Sequence, residues 1–160
     1  MKKIVNQFEY REFPSINHLN KEEQLAVNNA ILAAKDAYAP YSGFSVGCAL
    51  LLDNDKIVIG SNQENAAYPS GMCAERVALY AAGAQYPNAK IKLLAVVAMT
   101  NGELVDTVTA PCGACRQVIV ESQHRGGSAF PIILAGKKSV IKIDNPKDLL
   151  PLAFGPWDLE

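Results

Sequence analysis

Apolar residues recur every three to four positions from Val27 to Tyr38, through Ala30, Ile31 and Ala34, which lays one stripe along a helix. Asn20 opens that helix as an N-cap, and Glu23 stands three residues on, at the capping-box distance. The many alanines predict close packing against a flat partner such as a sheet. Pro40 disfavours helical geometry in the residue before it, so the helix is expected to end near Ala39. Phe44 to Leu52 then reads as a buried strand and Lys56 to Ser61 as its partner, with the turn residues Asp53, Asn54 and Asp55 between them. Asn62 to Met72 is polar, carries Pro69 and Gly71, and reads as a loop.

A second helix is expected from about Cys73 to Ala82, closed by Gly83. Ile91 to Met99 is almost wholly apolar after Lys92, which suits a strand buried on both faces. Asn101 and Gly102 make a turn, and an extended stretch leads to Ala110. The third helix begins at Pro111 or Cys112 and ends before Gly126 and Gly127; proline suits a first helical position. Phe130 to Ala135 and Ser139 to Ile143 are further strands, and Asp144 to Leu150 reads as a short helical turn. Helices alternating with strands predict an α/β fold: a mixed sheet covered by helices, with at least one parallel strand pair. No repeat, low-complexity segment or linker divides the chain, so residues 1–160 are expected to form one domain. Residues 1–19 have no clear period. The loose alternation of Phe8, Tyr10, Phe13 and Ile16 fits a short edge strand or a packed arm.

Composition narrows the class of partner. The chain is 49% hydrophobic, which excludes a mainly disordered protein. Its net charge of -1 gives no long-range pull toward nucleic acid or an anionic membrane, so a small neutral ligand is expected. Two lysines follow Met1, but no apolar segment of a secretion signal comes after them, and no apolar run is long enough to span a bilayer. A cytoplasmic location is expected, where four cysteines stay reduced and serve as metal ligands or core residues.

Three of those cysteines stand at helix starts. Cys112 and Cys115 share one helix face at i and i+3, and free N–H groups at a helix N-terminus stabilise thiolate. Cys73 occupies the same kind of position on the second helix. Facing helix starts would gather three thiolates around one zinc ion and leave its fourth position open, the mark of a catalytic site. Glu75 is the carboxylate suited to move protons beside it. Residues i and i+2 of a helix point about 200° apart. Cys73 and Glu75 can therefore serve one ion only if Cys73 lies at or before the first turn. Zinc with three thiolates is formally anionic, and Arg76 and the two helix dipoles are the sources of compensating charge. Cys48 lies between Gly47 and Ala49 within a strand and reads as core. The rival possibility is that it closes a four-cysteine structural site.

The spacing of Cys73-Ala-Glu75 followed by Pro111-Cys112-Gly-Ala-Cys115 is the pattern of zinc-dependent nucleobase deaminases, with cysteine in place of the first histidine. With Tyr41 to Gly47, Asn62 to Tyr68, Cys73 to Arg76, Pro111 to Gln117 and Leu149 to Pro156 in that order, the chain resembles the small homotetrameric cytidine deaminases. The resemblance covers about Tyr38 to the end. It implies a three-layer α/β/α fold with a five-stranded mixed sheet, which agrees with the strand count above. It implies one zinc per subunit on Cys73, Cys112 and Cys115, with Glu75 as proton shuttle. Asn62 and Glu64 would hydrogen-bond the ribose hydroxyls, Phe44 would pack on the pyrimidine, and Ala74 would lie among the substrate contacts. Ala66, Tyr68 and Phe154 would approach a site shared between subunits of a homotetramer. The implied reaction is deamination of cytidine and 2'-deoxycytidine to the uridines. A deaminase of another aminopyrimidine such as blasticidin S is the nearest rival, and a non-catalytic zinc domain the next.

Asn62 and Glu64, two apart on an extended segment, point the same way and can serve one sugar. Arg116 is read either as a further partner of the thiolates or as a surface ion-pair residue. His18 and His124 are read as surface residues, and the zinc set is complete without them. Gln63 and Cys48 depart from the family's usual aliphatic residue and alanine.

Overall fold

The two most apolar segments, β2 (Phe44–Leu52) and β4 (Ile91–Thr100), pair antiparallel, from Phe44 opposite Thr100 to Leu52 opposite Ile91. In this computed structural model, which describes residues 1–159, they form the middle of a single sheet. β3 (Ile57–Ser61) closes the hairpin on β2, and the backbone of the turn between them passes through Asp55 at φ 60°. β6 (Ile132–Ala135) runs parallel to β4, and β7 (Val140–Ile143) antiparallel to β6. The expected parallel pair is thus β4 with β6.

The sheet has seven strands where five were expected. One addition is the short edge strand that the alternation from Phe8 to Ile16 allowed, and the other lies in the stretch read as extended. β1 (Arg11–Phe13) lies along the outer edge of β7, Arg11 opposite Lys142. It turns part of the N-terminal arm into an edge strand, while Phe8 and Tyr10 remain exposed. β5 (Glu103–Leu104) folds back on β4 through Asn101 and Gly102, both at positive φ as a tight hairpin turn requires.

Alternation along β2 decides which helix covers which face. Cys48, Leu50 and Leu52 pack with Ala74, Ala78 and Leu79 of α2 (Ala74–Gln85) and with Ile119 of α3 (Gly113–Gly126). Ala49 and Leu51 pack with Val27, Ala30 and Ala34 of α1 (Lys21–Lys35) on the other face. The result is three layers, with α2 and α3 sharing one side. Asn20 and Glu23 form the expected capping box.

Two helix ends differ from expectation by more than one residue. α1 stops at Lys35 instead of near Ala39, because the chain straightens to let Tyr38 bond the Asn62–Glu64 segment: Tyr38 N–H donates to Asn62 O at 3.0 Å and Glu64 N–H to Tyr38 O at 2.8 Å. α2 continues past Gly83 to Gln85. Gly83 is not a cap; the Arg125 side chain lies against it, and a Cβ there would meet Nη1 at 2.8 Å.

Gly60 sets how closely α2 approaches the sheet. A Cβ on it would lie 2.5 Å from Ala74 O and 2.5 Å from Ala78 N, both rigid backbone atoms. The first turn of α2, which carries Glu75, therefore rests directly on β3. Gly60→Ala is expected to lower stability by about 1–3 kcal/mol through overpacking, read as a fall in the thermal midpoint, and to lower turnover by displacing that turn.

Candidate active site

Cys73 is the N-cap of α2 and Cys112 the N-cap of α3, both with extended backbone, and Cys115 sits one turn into α3. The condition set by Glu75, that Cys73 lie at or before the first turn, is met. The Cys73 and Cys112 sulfurs are 3.8 Å apart, those of Cys112 and Cys115 3.5 Å, and all three lie within 4.8 Å of one another. Three sulfurs each ~2.3 Å from one ion at tetrahedral angles would lie ~3.8 Å apart, so the donor set fits zinc in spacing as well as in chemistry. Cys48 is outside the group and fully buried in the core of the α2–α3 face.

Electrostatics separate the thiols. Burial alone would raise the Cys112 thiol. Hydrogen bonds from the Cys115 N–H, the Cys115 and Cys73 thiols and the Ala114 N–H outweigh it, and the net shift is downward. These are the helix N–H donors that the sequence suggested would favour thiolate. Burial pushes the Cys115 thiol up, and the charge of Glu75 adds to the shift. Glu75 is only 4% exposed, on the second residue of α2. Arg76 Nη2 donates to Cys73 Sγ at 3.7 Å, and that bond raises the guanidinium above its ordinary value against an opposing effect of burial. The charge compensation assigned to Arg76 thus has a direct contact behind it.

Among the described residues Arg116 makes no hydrogen bond to the thiolates and no ion pair. Its Nε donates to Pro111 O at 2.9 Å and its Nη1 to Leu149 O at 3.1 Å. It ties the start of α3 to the turn at Pro146–Leu149.

A groove of about 520 Å³ opens beside Cys73 and Arg76, walled by Asn62, Glu64, Tyr68 and Tyr41 among others. Its wall is built by a short backbone ladder. Gln63 and Met72 exchange two hydrogen bonds of 2.8 Å each, which fixes the polar segment to the residue preceding Cys73. With Gln63 held there, Asn62 and Glu64 share one side of the segment. Asn62 accepts from Val46 N–H at 2.7 Å and donates to Phe44 O at 2.9 Å, so its amide also clamps the start of β2. Glu64 accepts from the N–H groups of Tyr41 at 2.8 Å and Ser42 at 3.3 Å and from the Ser42 hydroxyl. The Ser42 hydroxyl first, then the Tyr41 N–H, hold the Glu64 carboxyl below its ordinary value.

Phe44, Ala66, Ala74 and Phe154 lie outside the groove wall. Phe44 is half-buried at the start of β2, and Ala74 is fully buried beneath Gly60. Ala66 is exposed, Tyr68 is 79% exposed and Phe154 59%. Sequence reasoning gave no role to Ser42 or to the Gln63–Met72 ladder. The signal for Ser42 was its place before Gly43 in a turn; backbone ladders leave no side-chain signal. A second cavity, about 270 Å³, lies at the far ends of α2 and α3 between Gly83, Tyr86, Lys90 and Arg125, and contains none of the motif residues.

Two helix N-termini thus bring three thiols within 4.8 Å of one another, with buried Glu75 on the first turn of α2, a donor set that suits zinc. Residues 20–126 match the family described as the cytidine and deoxycytidylate deaminase zinc-binding region. A cytidine deaminase of Sporosarcina psychrophila is 42% identical over 127 residues, 79% of this chain and 87% of that one. One from Mycobacterium tuberculosis is 40% identical over 140 residues, 82% of this chain and 88% of that one. The crystal structure of cytidine deaminase from Burkholderia pseudomallei superposes with a TM-score of 0.68 at 37% identity, covering 85% of this chain and all of that one. The chain belongs to the cytidine and deoxycytidylate deaminase family.

Proposed function

We infer that the protein hydrolyses cytidine and 2'-deoxycytidine to uridine and 2'-deoxyuridine with release of ammonia, as a step of pyrimidine salvage. The observation that carries this is the trio of sulfurs at zinc spacing with buried Glu75 on the adjoining helix turn. Cys73, Cys112 and Cys115 would hold one zinc per chain. When bound, zinc supplies the Lewis acidity that brings water to its nucleophilic form near neutral pH. Glu75 takes a proton from the attacking water and gives it to ring N3 as oxygen bonds to C4. It then carries the second proton to the amino group, which leaves C4 as ammonia. Arg76 and the N-termini of α2 and α3 offset the negative charge of the thiolates.

Asn62 and Glu64 contact the sugar hydroxyls, and Phe44 packs on the pyrimidine from the mouth of β2. In the groove wall Arg76 is the cation, and Cys73 engages it; Glu64 is the anion. Such a wall favours an uncharged nucleoside over a nucleotide. Exposed Ala66, Tyr68 and Phe154 support a homotetramer in which neighbours complete each other's sites. The chain acts as one deaminase domain with residues 1–19 appended. A cytoplasmic location suits reduced thiols, and no helix among the described residues is long and apolar enough to cross a membrane.

The test is incubation with cytidine, deoxycytidine and blasticidin S. Loss of the cytosine absorbance with one ammonia per uridine formed is expected for the two nucleosides. Turnover of blasticidin S alone would overturn the substrate assignment.

A further inference from the structure

Ser42 joins the two halves of the groove, and nothing so far assigns it a part in the reaction. Its hydroxyl donates to Glu64 Oε1 and accepts the Phe44 N–H at 3.0 Å. Its own N–H and that of Tyr41 donate to Glu64 Oε2. The turn that presents these groups closes through Gly43 N–H to Ala39 O at 3.0 Å, with Gly43 at φ +65°. A carboxylate offers about four acceptor positions. The two amides and the Ser42 hydroxyl fill three of them, so one remains, on Oε1, the oxygen that the hydroxyl already holds. Asn62 is similarly committed, one amide bond to Val46 and one to Phe44. The Ser42 hydroxyl thus bonds both the Glu64 carboxylate and the Phe44 backbone, beside the clamp that Asn62 makes on Phe44 and Val46.

We propose that Ser42 is a positioning residue that orients the open acceptor of Glu64 toward a sugar hydroxyl of the substrate and keeps that carboxylate in register with Phe44. This rests on the assignment of Glu64 to the sugar. If Ser42 only closed the turn, its loss would slow every substrate alike. If it aims Glu64, its loss falls on substrates that have a hydroxyl for Glu64 to receive.

The experiment compares kcat/KM for cytidine with that for 2',3'-dideoxycytidine, which lacks both hydroxyls, in the wild type and in Ser42→Ala, Ser42→Thr and Glu64→Gln. The ratio of the two substrates is independent of how much of a variant is folded. Glu64→Gln and Ser42→Ala are each expected to lower the ratio roughly tenfold, the scale of a hydrogen bond to a charged group. Ser42→Thr, which keeps a hydroxyl, is expected to restore most of it. A lowered ratio in Glu64→Gln with a wild-type ratio in Ser42→Ala overturns the role of Ser42 alone. A wild-type ratio in Glu64→Gln refutes the sugar contact, and the role of Ser42 falls with it.

Discussion

Glu75→Gln lowers kcat by about 10³-fold, within the range for a positioned acid–base group, while zinc content and thermal midpoint stay near wild type. The reason lies in what each atom can do at that place. Gln has the shape of Glu and fits the same 4% exposed position on the first turn of α2. Its amide can still hydrogen-bond a water or the ring. It cannot take a proton from the water and return it to N3, and it cannot carry the second proton to the departing amine. The three sulfurs do not include this side chain, so the metal should remain. Steady-state kinetics with metal analysis on the same sample check the prediction. Near-normal turnover in Glu75→Gln would remove the proton shuttle from the mechanism.

Cys112→Ala abolishes zinc binding and activity together, whereas Cys48→Ala keeps one zinc per chain. Cys112 is the sulfur in contact with both of the others, at 3.8 Å and 3.5 Å. Its side chain is on the exposed side of the α3 N-cap, so its removal opens no cavity, and the fold should survive. What remains is a pair of thiols and a helix N-terminus, too few donors for a tight tetrahedral site. Cys48, by contrast, is 0% exposed in the core of the α2–α3 face. Burial, then the charge of Glu75, raises its thiol well above the ordinary value, the opposite of what a ligand needs. Its loss leaves a small void on the order of 1 kcal/mol in cost, the scale for removing a small buried group. Zinc analysis of the purified variants separates the two outcomes.

Each half of the sulfur trio was legible because its chemistry is local. Cys73 to Arg76 and Cys112 to Cys115 each fall within one helix start, so spacing and helix geometry were enough to place Cys73 at or before the first turn, and it is the N-cap. Strands β2 and β4 were legible for a related reason: long apolar runs bounded by turn residues have few alternatives. The groove was legible only in part. Asn62 and Glu64 showed their shared side through i and i+2 spacing. The contact of Glu64 with Ser42 spans 22 residues, and no local pattern encodes it. The same limit explains the end of α1, where a bridge from Tyr38 to Gln63 overrides a helical stripe that runs on to Tyr38. Gly83 misled because glycine is a common helix cap, while here its missing Cβ makes room for Arg125. β1 falls within the loose alternation of Phe8, Tyr10, Phe13 and Ile16 that fits a short edge strand, and β5 within the stretch read as extended before Ala110, but three and two residues are too few to fix their bounds.

X-ray absorption at the zinc edge of the wild-type protein is the most direct test of the sulfur trio. Three sulfur scatterers at ~2.3 Å and one lighter scatterer nearer ~2.0 Å are expected. Four sulfurs around the ion, or fewer than three, would contradict an open catalytic centre on Cys73, Cys112 and Cys115.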